Sequence, residues 1–150
     1  MTETQGREAI PQIAALLKDI DICLFATRGE GGELHARPMS NNRQVEWDGD
    51  SFFFAPSDGR LVAELEREPA AVTAYRAEEG YTFVSVSGSA EIETDETLKK
   101  KLWLDDLGQW FPNGPEDPNV SLIRLRAEHV DWWGEQGDGS ADLKEVAARA

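Results

Sequence analysis

Residues 71–93 read AVTAYRAEEGYTFVSVSGSAEIE, and this stretch decides the fold class. From residue 82 to residue 92 the even-numbered positions are small or apolar, while Phe and Ser occupy the odd positions as far as 89. Alternation with a period of two is typical of a β-strand with one face against a core. Only Glu78-Glu79-Gly80 separates this strand from a second β-prone run at 71–77. Because so short a connection cannot hold a crossover helix, the two runs predict an antiparallel hairpin.

Further β-prone runs flank this hairpin on both sides. Runs at 22–27 and 34–39 are joined by a glycine-rich turn at 29–32, a third lies at 45–55, and the last extends from 120 to 133. Six or seven short strands connected mostly by turns predict a mainly β, largely antiparallel sheet. A small barrel with peripheral helices is the most economical arrangement of such a sheet.

Helical patterns occur between these strands. Apolar residues recur at spacings of three and four within residues 8–19, which predicts an amphipathic helix. Ser57 or Asp58 is expected to cap a second, short helix, and Thr94 or Asp95 a third. Both of these helices carry leucines at helical spacing.

The length of 150 residues and the 40% hydrophobic content are those of one folded domain. We predict a barrel domain with its N-terminal helix over residues 1–133. A linker and a C-terminal helical tail are predicted over residues 134–150, with the final helix beginning at Ser140.

The charge balance restricts the partners. Fifteen Lys and Arg residues stand against 29 Asp and Glu residues, giving a formal net charge of -14. Such a charge disfavours nucleic acids and anionic membranes, whose binding depends on basic side chains. The single cysteine, Cys23, lies in an apolar run, no stretch reaches the length of a membrane span, and no secretory signal is recognisable. We therefore expect a cytoplasmic protein.

Metal and nucleophile chemistry find little support in the sequence. The two histidines, His35 and His129, are isolated from each other and from any second cysteine, so no metal site is expected. Cys23 lies within a predicted strand and not at a strained turn, which argues against a cysteine nucleophile. Glycine-rich loops that hold phosphates in dinucleotide folds are also missing.

Arginines and tryptophans each leave two interpretations open. Ten of the 15 basic residues are arginine, and Arg37, Arg43 and Arg60 lie within one stretch. They fit either a bidentate site for an anionic ligand or ion pairs with the many carboxylates. The helix start at Gly59 is a second candidate phosphate site, with the Asp58 carboxylate as a competitor for the same N–H groups. The five tryptophans suit core or dimer packing, or an aromatic wall against a flat ligand.

Six motifs, taken together in their order and spacing over residues 8–133, resemble the bacterial general stress proteins. These belong with the pyridoxamine 5′-phosphate oxidase-like, FMN-binding split barrels. The motifs are His35-Ala-Arg-Pro-Met39, Glu68-Pro69, Tyr81-Thr-Phe-Val-Ser-Val-Ser-Gly-Ser-Ala-Glu91, Leu102-Trp103, Trp110-Phe-Pro-Asn-Gly114 and Asp117-Pro118.

The resemblance implies a six- to seven-stranded antiparallel split β-barrel that forms a homodimer, with FMN or FAD in a groove at the subunit interface. Residues from three parts of the chain would then contact the flavin. Strand residues Arg37, Pro38, Met39, Phe54 and Ala55 would line it, Gly59, Arg60 and Leu61 would face its phosphate, and Trp103 and Trp110 would cover the ring from the partner chain.

Two departures from the family pattern bear on function. The family commonly has Ser-x-Lys where this chain has Gly59-Arg60-Leu61, and the C-terminal region lacks the arginine and histidine residues that hold pyridoxamine phosphate. We therefore expect a flavin-binding stress protein that does not synthesise the vitamin. If it is an enzyme, it is a flavin-dependent oxidoreductase, and no side chain is assigned as its acid or base. The alternative is a flavin-free dimeric binding protein whose groove holds haem, another ligand or nothing.

Overall fold

The computed structural model describes residues 2–42, 46–135 and 137–149. Arg43 and the predicted start of the third strand at Val45 lie outside these residues. The strands are β1 (Thr2–Gln5), β2 (Ile22–Arg28), β3 (Leu34–Ser40), β4 (Asp50–Pro56), β5 (Ala70–Arg76), β6 (Phe83–Glu93), β7 (Val120–Trp133) and β8 (Gly139–Asp142). The helices are α1 (Ile10–Leu17), α2 (Arg60–Arg67), α3 (Glu96–Leu102) and α4 (Lys144–Arg149), with 3₁₀ turns at Gly6–Ala9 and Asp105–Gln109.

All eight strands belong to one sheet. Its order is β1-β8-β7-β6-β5-β2-β3, and β4 pairs with β7 outside this path. Strands β2 to β8 are joined by antiparallel ladders, whereas β1 pairs with β8 in parallel. The predicted fold class, a mainly β antiparallel split barrel with peripheral helices, is confirmed. The short parallel strand β1 was not predicted.

Strand β7 organises the sheet because its two ends have different neighbours. One edge pairs with β6 over most of its length, while the other edge pairs with β4 over residues 120–126 and with β8 over residues 129–132. The register between β6 and β7 shifts at Gly88, where Glu128 is the extra residue of a β-bulge. A Cβ atom on Gly88 would overlap the carbonyl oxygen of Arg126, so the bulge requires glycine.

Apolar side chains of the strands fill the barrel. Phe25 on β2 and Phe53 on β4 meet edge to face with centroids 5.0 Å apart, and both are almost fully buried. Ile13 and Leu17 of α1 belong to the same core. Phe52 and Phe54 lie on the opposite face of β4 and pack with Leu102 and Leu107 in a second cluster. Strand β4 is therefore buried on both faces.

The C-terminal segment differs from the prediction. A strand, Gly139–Asp142, begins at the last residue of the expected linker and includes the expected helix start at Ser140, and the helix begins at Lys144. The strand forms because β4 does not reach the part of the β7 edge beyond Glu128. Strand β8 pairs with that part instead. Ala141 and Leu143 are fully buried. The domain division at residue 133 stays a prediction.

The helix caps are partly as predicted. Asp95 caps α3, accepting hydrogen bonds from the backbone N–H groups of Thr97 at 3.0 Å and Leu98 at 3.1 Å. At α2 the predicted caps are wrong, because the N-cap residue is Gly59, which supplies no side chain. Ser57 is held elsewhere: its Oγ donates to the carbonyl oxygen of Pro118 at 2.9 Å and lies 2.7 Å from the Ser121 Oγ.

Within the described residues, no helix is long and apolar enough to cross a membrane.

Candidate functional site

A cleft of about 680 Å³ opens where the barrel is split. Within the described residues β3 pairs only with β2, and β4 pairs only with β7, so the two strands leave a gap between them. The start of α2 and the segment around Trp110 complete the walls. Nine of the ten residues predicted to bind a cofactor line this cleft, namely Arg37, Pro38, Met39, Phe54, Ala55, Gly59, Arg60, Leu61 and Trp110.

The floor of the cleft is apolar and comes from the two strands at the gap. Pro38 and Met39 extend from β3, and Phe54 and Ala55 from β4. Proline is tolerated at this position because an edge strand needs no N–H donor on its free side. The floor therefore offers an apolar surface, which suits an aromatic ligand ring.

Trp110 and Trp103 lie at different depths relative to the surface of the cleft. Trp110 lines the cleft and remains 59% exposed. Trp103 lies behind the lining, with its ring 5.2 Å from that of Phe54 and 6.2 Å from that of Phe111, both of which line the cleft. Trp103 thus supports the wall, and Trp110 is the exposed aromatic surface.

Arg37 is bound to a buried carboxylate. Its Nη2 donates to Glu64 Oε1 at 2.8 Å, and its Nη1 donates to Thr27 Oγ1 at 2.7 Å and to the Phe25 carbonyl oxygen at 3.3 Å. Thr27 Oγ1 in turn donates to the same Glu64 Oε1 at 2.6 Å. The register explains the cluster, because β2 and β3 place Thr27 and Arg37 on the inner face of the sheet, beside α2.

The second oxygen of Glu64 lies near Arg60 and His35. Arg60 Nε lies 3.5 Å from Glu64 Oε2, one helical turn away, and His35 Nε2 lies 3.6 Å from it. His35 Nε2 is also 2.9 Å from Arg60 Nη2. Of the two interpretations of the arginines, the structure shows ion pairing for both Arg37 and Arg60. It does so at the edge of a cleft, which leaves anion binding open.

Glu64 is ionised despite its burial. Only 4% of the residue is exposed, and this burial on its own raises the pKa of its carboxyl. Hydrogen bonds from Thr27 and Arg37, together with the positive charge of Arg37, outweigh burial and hold the pKa below its ordinary value. A negative charge therefore lies behind the lining of the cleft, between its two arginines.

The start of α2 offers backbone donors to the same end of the cleft. Gly59, Arg60 and Leu61 line it, and no side chain caps the helix. The first N–H groups of a helix have no partner within the helix and attract anions. The competition expected from Asp58 is therefore absent at this cap.

Leu61 belongs to the core as well as to the cleft. It is 7% exposed and packs in the barrel cluster with Val62 and Leu65. The position where the family commonly has lysine is thus filled by a buried leucine.

The sequence analysis missed Glu64 and Thr27. Glu64 lies on the buried face of α2, three residues after Leu61 and one before Leu65. A carboxylate within an apolar stripe requires a cationic partner, and Arg37 required an anionic one. Combining these two observations would have identified the pair.

The described residues hold no group of three or more His, Cys, Asp or Glu side chains arranged for a metal ion. Cys23 is buried in the barrel, where burial raises the pKa of its thiol to about 12. Neither observation adds a reactive group to the cleft.

Comparisons with known proteins agree with this architecture. The family model for pyridoxamine 5′-phosphate oxidase-like proteins matches residues 8–149. A general stress FMN/FAD-binding protein from Xanthomonas citri is 30% identical, with a TM-score of 0.72 over 85% of this chain and 89% of that one. No curated protein matches the chain in sequence.

Two more distant structures share the fold. A Clostridium acetobutylicum protein related to general stress protein 26 of Bacillus subtilis is 18% identical, with a TM-score of 0.76 over 94% of this chain and 99% of that one. A haem-binding protein from Mycobacterium smegmatis is 18% identical, with a TM-score of 0.72 over 93% of this chain and 60% of that one. On the match over residues 8–149, the chain belongs to the pyridoxamine 5′-phosphate oxidase-like family.

Proposed function

We propose that the chain is a flavin-binding general stress protein that holds FMN or FAD in the cleft between β3 and β4. The observation that carries this proposal is the composition of the cleft. An apolar floor, an exposed tryptophan, two arginines and an uncapped helix start converge on one volume of about 680 Å³. The 30% identical Xanthomonas citri protein is described as binding FMN or FAD.

The residues present fit a flavin. The volume lies within the range of small-molecule pockets, and a mostly apolar lining with a few polar groups at one end is their usual composition. Pro38, Met39 and Phe54 would hold the ring, and Arg60 with the first N–H groups of α2 would hold the phosphate. When bound, the flavin supplies the redox chemistry and the protein supplies orientation and electrostatics. Any enzymatic activity would then be that of a flavin-dependent oxidoreductase.

Replacing Arg60 by alanine should weaken FMN binding about tenfold, through the loss of a charge-assisted contact to the phosphate. Riboflavin, which lacks the phosphate, should bind the variant as it binds the parent protein. Both ligands are titrated by the quenching of flavin fluorescence, and bound flavin is confirmed by absorbance at about 450 nm.

Arg67→Ala is the matched control, because Arg67 lies at the other end of α2 and is exposed. It should leave both affinities unchanged. Equal FMN binding by parent and Arg60→Ala would remove Arg60 from the phosphate site. If the parent protein binds neither riboflavin nor FMN, the flavin proposal fails.

The proposal includes a homodimer in the cytoplasm. Ile22, Leu24 and Leu34 are 51%, 51% and 71% exposed, and the register places all three on the outer face of the β2–β3 hairpin. Exposed apolar side chains on one face are typical of an interface. Ile22 also lines the cleft, so a partner on this face would border the flavin.

The cytoplasmic location rests on the lone cysteine, which is free and buried.

Replacing Leu24 by glutamate should convert the dimer to a monomer, because a carboxylate would be buried at the centre of the proposed interface. Sedimentation equilibrium at micromolar concentration should show twice the chain mass of 16.7 kDa for the parent and the chain mass for the variant. Thr97→Glu, an exposed position on α3, is the control and should remain dimeric. A monomeric parent protein would refute the homodimer.

A flavin-free binding protein of the same fold is the second candidate. Two observations favour it: Leu61 fills the position of the family's lysine, and Glu64 neutralises Arg37. The Mycobacterium smegmatis structure, described as haem-binding, shares the fold at 18% identity. Under this alternative, FMN and riboflavin both fail to bind the parent protein, and titration with haem tests the remaining ligand.

A further inference from the structure

We propose that Glu64 is a specificity-determining residue that selects the charge of the ligand's phosphate, favouring a phosphate with one negative charge over one with two. This inference rests on the proposed flavin function and specifies it. It follows from the position of one buried carboxylate between the two arginines that line the cleft.

The first step is the use of the arginine donors. In the part of the chain that the structure describes, Arg37 donates three hydrogen bonds, to the Phe25 carbonyl oxygen, Thr27 Oγ1 and Glu64 Oε1. An arginine has five N–H groups, so within the described residues two remain for a ligand. Arg37 is therefore anchored inside the protein and is not available as a complete fork for a phosphate.

The second step is the charge balance. Arg37 and Arg60 contribute two positive charges, and Glu64, at 2.8 Å and 3.5 Å from them, removes one. A phosphate monoester such as that of FMN carries a charge of about -1.5 to -2 at pH 7, whereas each phosphate of a diester or of the FAD diphosphate carries about -1. Among these three side chains one positive charge remains, which matches the second kind of phosphate.

The third step is that moving Glu64 away from its partners when a ligand binds would cost free energy. It is 4% exposed and accepts hydrogen bonds from both Thr27 and Arg37. Removing such an anion from its partners would leave buried polar groups unpaired. The negative charge therefore stays in place and repels an incoming dianion.

Glu64→Gln tests the inference, because glutamine keeps the shape and an oxygen acceptor for Arg37 and Thr27 but removes the charge. The dissociation constants of FMN, FAD and riboflavin are measured for each protein. FMN should bind the variant about tenfold more tightly relative to riboflavin, with a smaller gain for FAD. Glu66→Gln, at an exposed position two residues later on α2, should change none of the three.

A second measurement uses the unaltered protein and keeps the test valid if Glu64→Gln fails to fold. FMN is compared with its phosphate monomethyl ester, which carries one charge. The parent protein should bind the ester at least as tightly as FMN, and clearly tighter binding of FMN would overturn the inference. An unchanged or lowered FMN-to-riboflavin preference in Glu64→Gln would also overturn it and would identify Glu64 as a tether for Arg37.

Failure of the flavin function is distinguishable from failure of this inference. If no flavin binds either protein, the proposed function is wrong, and inorganic pyrophosphate becomes the probe. Pyrophosphate should then raise the melting temperature of Glu64→Gln more than that of the parent protein. Equal shifts would refute the role of Glu64 independently of any flavin.

Discussion

Replacing Leu61 by lysine is expected to destabilise the protein by about 3 kcal/mol and to leave FMN affinity no higher than before. The leucine is 7% exposed and packs with Val62 and Leu65. A lysine there must either desolvate its ammonium group or turn its stem into the cleft and leave a cavity in the core. Restoring the family's residue therefore disturbs the barrel, and we expect the lost core packing to offset any phosphate contact that the lysine makes from the cleft.

Thermal unfolding and FMN titration of the same samples measure both effects. Ala63→Lys is the control, because it adds the same charge at an exposed position of α2 and should change stability little. A Leu61→Lys protein with tighter FMN binding and an unchanged melting temperature would contradict the expectation. It would mean that the missing lysine, and not Glu64, limits binding of the phosphate.

The central strands could be predicted because their signal is local. In β6 the alternation of apolar and polar residues marks the inner and outer faces, and Glu78-Glu79-Gly80 leaves too little chain for anything but a hairpin. The observed β5 and β6 differ from the predicted runs by one or two residues at their ends. Such differences arise because strand ends depend on the neighbouring strand.

The two terminal strands could not be predicted for the opposite reason. Strands β1 and β8 have four residues each, which is too short to show a period. Strand β8 forms because β7 extends beyond the reach of β4 and leaves an edge to be paired. Strand β1 then pairs with β8. These pairings form only in the assembled sheet, so the residues next to each strand in the sequence do not indicate them.

The residues of the cleft were found by resemblance, whereas the electrostatics of the cleft required the fold. The sequence leaves two partners open for Arg37, an anionic ligand or a carboxylate of the chain. The partner is Glu64, which lies 27 residues away in sequence on another element. Pairing at that separation is decided by how α2 packs beside β2 in the folded chain, which composition and periodicity do not specify. The charge of the site is therefore a property of the tertiary structure.

Replacing Gly88 by alanine is expected to destabilise the protein by about 3 kcal/mol, although alanine adds only one methyl group. The bulge at Glu128 brings the backbone of β7 against Gly88, so the new Cβ would overlap the carbonyl oxygen of Arg126. The backbone of β7 cannot rotate away from the added Cβ as a flexible side chain can. Relief requires the ladder between β6 and β7 to open at the point where β7 changes its second partner from β4 to β8.

Urea unfolding measures this loss, and Gly108→Ala provides the control. Gly108 lies in the 3₁₀ turn after α3, where an added Cβ meets no atom within 4 Å in the described residues. Its substitution should change the free energy of unfolding by less than about 0.5 kcal/mol. Equal urea midpoints for Gly88→Ala and the parent would mean that the bulge can shift without cost. The point at which β7 changes its partner from β4 to β8 would then be set by the flanking strands and not by this glycine.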